Sequence, residues 1–170
     1  LHGIPQFAIS IGLEREGTLI AGLVLNPVSD ELFLAERGKG AFLNDRRIRV
    51  AARKNLGEAV LACGLPHYGR GDLELFRNEF SVIQDKVAGL RRFGAAALDL
   101  AYIAAGRFDL YWERNLSSWD MAAGTLIVRE AGGFVTDLDD KDEMFAKGNI
   151  LAGNPILHGE LLKLLKDSSK

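Results

Sequence analysis

The sequence has one cysteine, almost no net charge and no long apolar run. A lone cysteine, Cys63, cannot close an internal disulfide, so a reducing compartment, the cytoplasm, is expected. Cys63 lies in the apolar run 59–63 and reads as a small buried hydrophobe rather than a nucleophile. The formal charge of -2 leaves no global basic field to draw the chain to nucleic acid or an acidic membrane surface. The basic clusters, Arg46, Arg47 and Arg49 and then Arg91 and Arg92, are too short to argue otherwise. No apolar run approaches the roughly 20 residues of a membrane helix, and no signal-peptide pattern is visible. There is no internal repeat, low-complexity segment or linker. What remains is a globular composition, 48% hydrophobic and 26% charged, over 170 residues. That suits one domain or a large piece of one. The chain opens at Leu1 and reads as strand from residue 6, so a native N-terminal segment is expected outside this sequence.

The first fifty residues read as a β-meander. Phe7, Ile9, Ile11 and Leu13 alternate with smaller or polar residues, the period of a strand. Further strands are predicted over 19–25 and 31–36, and Gly38, Gly40, Asn44 and Asp45 punctuate a last hairpin. After a change of composition near Asn55 the pattern becomes mixed. Residues 58–65 form an apolar strand. Asp72 caps a helix predicted to run to about Ala88, its face marked by Leu75, Phe76, Phe80, Ile83 and Val87. Strand 90–93 leads to Gly94, an alanine-rich helix covers 95–105, and Gly106 stops it. Strand 107–113 and helix 119–131 follow, the latter ended by Gly132 and Gly133. Strands 133–136 and 149–152 flank a polar loop, and Pro155 opens a final helix. The expected fold is α/β (α+β) with a partly parallel second sheet. Residues 1–54 form one subdomain and 55–170 the other.

Three places could carry chemistry. Asp120 stands in the first turn of helix 119–131, capped by Ser117 or Ser118. A carboxylate there is favoured by the helix dipole alone, by about 0.3–1 kcal/mol. It is equally suited to magnesium, a hard cation that takes one or two carboxylates plus phosphate and water. Glu113 ends strand 107–113, either as a solvated charge or as an acceptor of polyol hydroxyls. It and Asp120 can face one crevice beyond the carboxyl ends of the strands. Gly94 followed by Ala95, Ala96 and Ala97 leaves backbone amides open to a hydroxyl or phosphate oxygen, though tight packing explains an alanine run as well. His2, His67 and His158 have no partners at metal-ligand spacing and read as structural or exposed.

Trp119-Asp120-Met121-Ala122-Ala123-Gly124, followed by Glu130-Ala131-Gly132-Gly133, resembles the second signature of the inositol monophosphatase family. His2-Gly3-Ile4-Pro5 resembles the tail that follows the family's first motif, and Phe33-Leu34-Ala35, Gly38-Lys39-Gly40-Ala41-Phe42 and residues 149–154 match as well. The resemblance covers essentially the whole chain and is nearest to bacterial members of the extragenic-suppressor type. It implies the C-terminal portion of a layered α/β/α/β/α sandwich and a homodimer. It also implies magnesium-dependent, lithium-sensitive hydrolysis of a phosphate monoester, most simply myo-inositol monophosphate, by a metal-activated water. Asp120 then corresponds to a magnesium ligand that also touches substrate, Glu113 to the residue that binds inositol hydroxyls, and Gly94, Ala95 and Ala96 to the backbone lining the pocket. Arg91 corresponds to a substrate-side arginine, a role that Arg92 could take instead. The first motif, with most catalytic residues, is absent, so this chain alone is expected to be inactive. Asn115-Leu116-Ser117-Ser118 also departs from the usual Gly-x-x-Pro before Trp-Asp. The resemblance leaves two alternatives. One is a non-catalytic role in ribosomal RNA transcription through RNA polymerase. The other is a phosphatase for fructose bisphosphate, a nucleotide 3′-phosphate or histidinol phosphate.

Overall fold

The structure, a computed structural model, describes residues 2–168. Five antiparallel strands come first: β1 (Ile9–Arg15), β2 (Thr18–Asn26), β3 (Glu31–Glu36), β4 (Gly40–Leu43) and β5 (Arg46–Ile48). They pair in chain order as a meander. Asn44 and Asp45 close its last hairpin at positive φ, which short polar side chains tolerate. The second half comprises β6 (Val60–Cys63), α1 (Leu73–Gln84), β7 (Gly89–Arg91), α2 (Ala96–Ala104) and β8 (Leu110–Glu113). Then come α3 (Ser118–Glu130), β9 (Phe134–Thr136), α4 (Met144–Lys147), β10 (Ile150–Gly153) and α5 (Pro155–Ser168). The second sheet has the order β7-β6-β8-β10-β9. β6 runs parallel to β7 and β8, while β10 is antiparallel to β8 and β9. No helix among the described residues is long and apolar enough to cross a membrane.

Strand alternation sorts the second sheet into two apolar faces. Leu61, Cys63, Leu110 and Trp112 join the core with α1 and α5. Ala62 and Tyr111 join the core with α2 and α3 on the other side. The meander closes over the far side of α2 and α3, and two glycines let it approach. A Cβ on Gly22 would stand 2.7 Å from the Ala123 carbonyl oxygen, and one on Gly12 2.7 Å from the Ala122 Cβ. The layers therefore run sheet, helices, sheet, helices, and α2 and α3 belong to both halves of the core. The outer face of the meander carries Ile9, Ile11, Leu13, Leu32 and Leu34, each 37–56% exposed. So contiguous an apolar face is suited to being covered.

The observed elements depart from the sequence pattern where partners compete for backbone groups. Helix α1 stops at Gln84, before Ala88, because the Ala88 amide is taken by the Ala59 carbonyl at 2.9 Å as the chain enters β7. β8 begins only at Leu110, because the Arg107 and Phe108 amides turn back to the Tyr102 carbonyl. The Arg107 guanidinium there forks onto the Glu31 carboxylate of β3 and lies 4.9 Å from the Tyr102 ring centre. Short helix α4, inside the predicted loop-to-strand stretch, is held by buried Met144 and stopped by left-handed Gly148.

Glu130 has a structural task. Its carboxylate accepts the Gly38 and Gly40 amides, both at 2.8 Å, and clips the β3–β4 turn to the end of α3. Glu130→Ala should lower stability by about 1–2 kcal/mol, because it removes a charged acceptor from the exposed Gly38 amide and strands the part-buried Gly40 amide. Urea denaturation should show an earlier midpoint at unchanged slope. An unshifted midpoint would show that the clip contributes nothing.

Candidate active site

Because β6, β7 and β8 are parallel, the segments leaving their carboxyl ends rise from one edge of the sheet, the usual place for a ligand in such sheets. α2 and α3 both begin at that edge and lie on the same face, so two partially positive helix ends flank it.

Asp120 sits in the first turn of α3, and Ser117 is the cap residue. The Ser117 amide donates to Asp120 Oδ2 at 2.9 Å, so one carboxylate oxygen does serve the helix end. Oδ1 makes no hydrogen bond among the described residues. Glu113 ends β8 two residues after Tyr111 and therefore on the same face, and the Tyr111 hydroxyl donates to its carboxylate. Gly64, where β6 runs on past its last residue, makes room for it. A Cβ there would stand 1.9 Å from Glu113 Cδ. Gly94 has φ +82, a left-handed conformation, and opens the turn whose Ala95 and Ala96 begin α2. The two arginines before it diverge. Arg91 Nη1 donates to the Leu90 carbonyl at 2.9 Å, back along its own strand. The Arg92 guanidinium lies over Gly94, where a Cβ would meet Nη1 at 2.9 Å, and its charge acts on Glu113, Asp99 and Cys63.

Burial governs the electrostatics of this edge. It pushes the Glu113 carboxyl above its usual range, against the pull of the Tyr111 hydroxyl and Arg92 and with a further push from Asp120. Burial, then the Glu113 and Asp99 charges, push the Tyr111 phenol up, which keeps it a hydrogen-bond donor. Burial pushes the Cys63 thiol up to about 12, so Cys63 is the inert buried thiol expected, not a nucleophile. Asp99, on α2, is 1% exposed, and burial followed by the Glu113 charge raises its carboxyl to about 8.

Gly64, Tyr111, Asp99 and Arg92 thus join Asp120, Glu113 and Gly94 at one edge. The sequence reading missed Asp99 and Tyr111; the signals that could have found them are a lone acid in an alanine-rich helix and a place two residues before Glu113 on one strand. Nothing local marked Gly64. Among the histidines, His158 is buried, with Nε2 3.1 Å from Thr136 Oγ1, and burial lowers its pKa. His67 closes a small turn with Arg70 through two backbone bonds of 3.1 and 2.8 Å.

Carboxylates beside anion-receptive helix ends suit a bridging cation, and the Asp120 Oδ1 is a hard oxygen donor of the kind magnesium takes. It is one ligand, not a site. Among the described residues no group of three or more His, Cys, Asp or Glu side chains could hold a metal. The acidic loop 137–143 is neutralised from within. Lys147 Nζ lies 2.7, 2.8 and 3.0 Å from Asp137, Asp139 and Glu143. Against the upward push of burial, that ammonium and the Lys141 and Asp139 amides hold the Asp137 carboxyl below the usual range.

The fold and this edge define a layered α/β protein with a carboxylate-lined crevice at the carboxyl ends of parallel strands. The chain belongs to the inositol monophosphatase family, whose family model matches residues 1–170. It is 54% identical to an inositol-1-monophosphatase of Mesorhizobium japonicum, over 98% of this chain and 62% of that protein. It is 50% identical to the Nus factor SuhB of Pseudomonas aeruginosa, over 91% of this chain and 58% of the relative. The crystal structure of the extragenic suppressor protein suhB from Bartonella henselae superposes with a TM-score of 0.94 at 55% identity, covering 97% of this chain and 63% of that one. The chain thus spans less than two thirds of the length of each of these relatives.

Proposed function

We propose that the protein to which this chain belongs hydrolyses a polyol phosphate monoester, myo-inositol monophosphate before others, with magnesium. The observation that carries this reading is the meeting of Glu113, Asp120 and the turn at Gly94 on one sheet edge between two helix ends. The inositol-1-monophosphatase name of the Mesorhizobium relative supports it. Asp120 would hold magnesium through Oδ1 and touch the substrate, while its Oδ2 stays on the Ser117 amide. Glu113, steadied by Tyr111, would accept ring hydroxyls. The amides at Ala95 and Ala96 would receive a hydroxyl or phosphate oxygen, and Arg92, rather than Arg91, would face the anionic group. When bound, magnesium neutralises phosphoryl charge and lowers the pKa of a coordinated water. The same reading carries a homodimer, lithium inhibition and a cytoplasmic location.

One carboxylate cannot assemble a two-metal site, so the 170-residue chain alone should release no phosphate. Joined to the remaining third that its relatives possess, it should release phosphate from myo-inositol 1-phosphate in magnesium. Asp120→Asn should then reduce kcat/KM by at least about 100-fold, beyond the usual loss for a residue that only supports a metal ligand. Asp120-dependent release by the short chain would overturn the division of labour. A preference of orders of magnitude for fructose bisphosphate, a nucleotide 3′-phosphate or histidinol phosphate would overturn the substrate.

A second reading, a protein-binding role in ribosomal RNA transcription through RNA polymerase, has the Nus factor name of the Pseudomonas relative behind it. A pull-down in which Asp120→Asn abolishes hydrolysis and retains polymerase would separate the two roles.

A further inference from the structure

A second crevice opens on the other face of the same strand ends, and the proposed hydrolysis gives it no task. Gly64 and Glu113 border both crevices, but strand alternation turns Trp112 toward α1, and this one lies on that side, away from Asp120 and the turn at Gly94. Half-buried Phe76 covers the buried Trp112 ring, with ring centres 6.4 Å apart and planes 15° from parallel, and the pair forms the floor. The loop 64–72 and the chain after β8 form the walls. The space measures about 520 Å³ with its open mouth counted. Small-molecule sites span roughly 300–1,000 Å³, and an apolar cavity of about 150 Å³ holds a benzene ring. There is room for one ring and a polar group.

The walls are fastened before any ligand arrives. The His67 and Arg70 backbones exchange hydrogen bonds of 3.1 and 2.8 Å. Asp72 caps α1 by accepting the Leu75 amide at 2.9 Å. Gly71 lies so close to Pro66 that a Cβ on it would stand 3.1 Å from the Pro66 Cβ. Under the floor, Glu79 accepts the Trp112 indole N–H at 3.2 Å and Arg114 Nε at 3.1 Å. A site held in this way has little left to order when it binds.

The polar groups bordering this space divide by sign. Each acid already accepts a hydrogen bond from within the chain: Asp72 from the Leu75 amide, Glu79 from Trp112 and Arg114, Glu113 from the Tyr111 hydroxyl. The side chains of His67, Arg70 and Asn115 make no hydrogen bond or ion pair among the described residues. A guanidinium, an imidazole and a carboxamide are thus left unengaged at the mouth, above an aromatic floor. We propose that this crevice binds a small molecule made of a flat apolar body and one anionic group, a carboxylate or a phosphate. The ring lies over Phe76 and the anion is held by Arg70. Asp120 and the turn at Gly94 take no part, so the site stands or falls apart from the phosphatase reading.

The test titrates the 170-residue chain, without metal, with benzoate and with phenyl phosphate, and follows the two tryptophan indole N–H resonances by NMR. The Trp112 signal should shift saturably with at least one probe, and the tighter probe identifies the anion. The signal of Trp119, exposed beside Asp120 on the other face, should stay. Benzyl alcohol, the flat body without the charge, and inorganic phosphate, the charge without the body, should each bind at least about tenfold more weakly. That comparison needs no variant to fold. Arg70→Gln should weaken the charged probes at least about tenfold, and its exposed, unbonded side chain gives the fold nothing to lose. No saturable shift at Trp112, a shift at Trp119 alone, equal affinity for benzyl alcohol, or full affinity in Arg70→Gln would each overturn the proposal.

Discussion

Alanine at position 64 is expected to expel Glu113 from the site. The added Cβ would stand 1.9 Å from Glu113 Cδ, 2.2 Å from Cγ and 2.3 Å from Oε1, all far inside contact distance. The Gly64 backbone cannot yield, because its amide is bonded to the Trp112 carbonyl at 3.2 Å where β6 runs on beside β8. Glu113 must swing away, and the fully buried Tyr111 hydroxyl loses its acceptor. Overpacking of this kind costs about 1–3 kcal/mol, and a stranded buried hydroxyl adds a similar amount. On the proposed reading, in which Glu113 accepts ring hydroxyls, the KM of the complete protein for myo-inositol 1-phosphate should rise at least about tenfold, because those hydroxyls lose their acceptor. A phosphate ester with no polyol should be little affected. A double-mutant cycle on the short chain isolates the cause. Adding Glu113→Ala to Gly64→Ala removes the clash partner and should return the overpacking part of the lost stability while the Tyr111 hydroxyl stays without its acceptor, so the double loss should fall below the sum of the single ones. Simple additivity of the two losses would show that Gly64 matters for some reason other than Glu113.

Arg114→Met should be among the most damaging single changes at the surface of this protein. Arg114 borders the same crevice, and its guanidinium is the only charged partner of Glu79 among the described residues, with Nε at 3.1 Å. Glu79 is 1% exposed, and its other oxygen accepts the Trp112 indole N–H at 3.2 Å. Removing one member of a buried pair leaves an uncompensated charge, which costs about 3–5 kcal/mol. Replacing both, as Glu79→Leu with Arg114→Met, removes the charge as well and should recover most of the stability in urea denaturation. Equal loss in the single and double variants would show that the pair holds the end of β8 by geometry and not by charge.

The two halves of the chain were legible to different degrees. The meander was read nearly strand for strand, because its period-2 pattern and turn residues are local and its partners are adjacent in sequence. Asp72 as a helix cap and Pro155 as a helix start were also visible, since capping depends on residues three or four apart. The inside of α1 was not. Glu79 interrupts an otherwise apolar stripe and looks like an error until Arg114 and Trp112, over thirty residues away, are placed against it. The choice between Arg91 and Arg92 was open for a similar reason. Arg91 is the last residue of β7 and Arg92 lies just beyond it, and only the folded turn shows which of the two guanidiniums meets Gly94.

The signature around Asp120 and the run to Gly133 carried family membership unaided, because an uncommon string of residues survives in one dimension. Alternation along β8 puts Tyr111 and Glu113 on one face. The tertiary structure alone decided what that face meets. It brought Gly64, Asp99 and Arg92, from three separate segments, up to Glu113. The physical reason is that desolvation and Coulomb interaction depend on distance in space, and parallel strands joined by helices bring together residues that are tens of positions apart. A pattern of neighbours can show that a residue is apolar or capped. Whether a carboxyl keeps its proton or a glycine is irreplaceable depends on atoms that arrive only when the sheet closes.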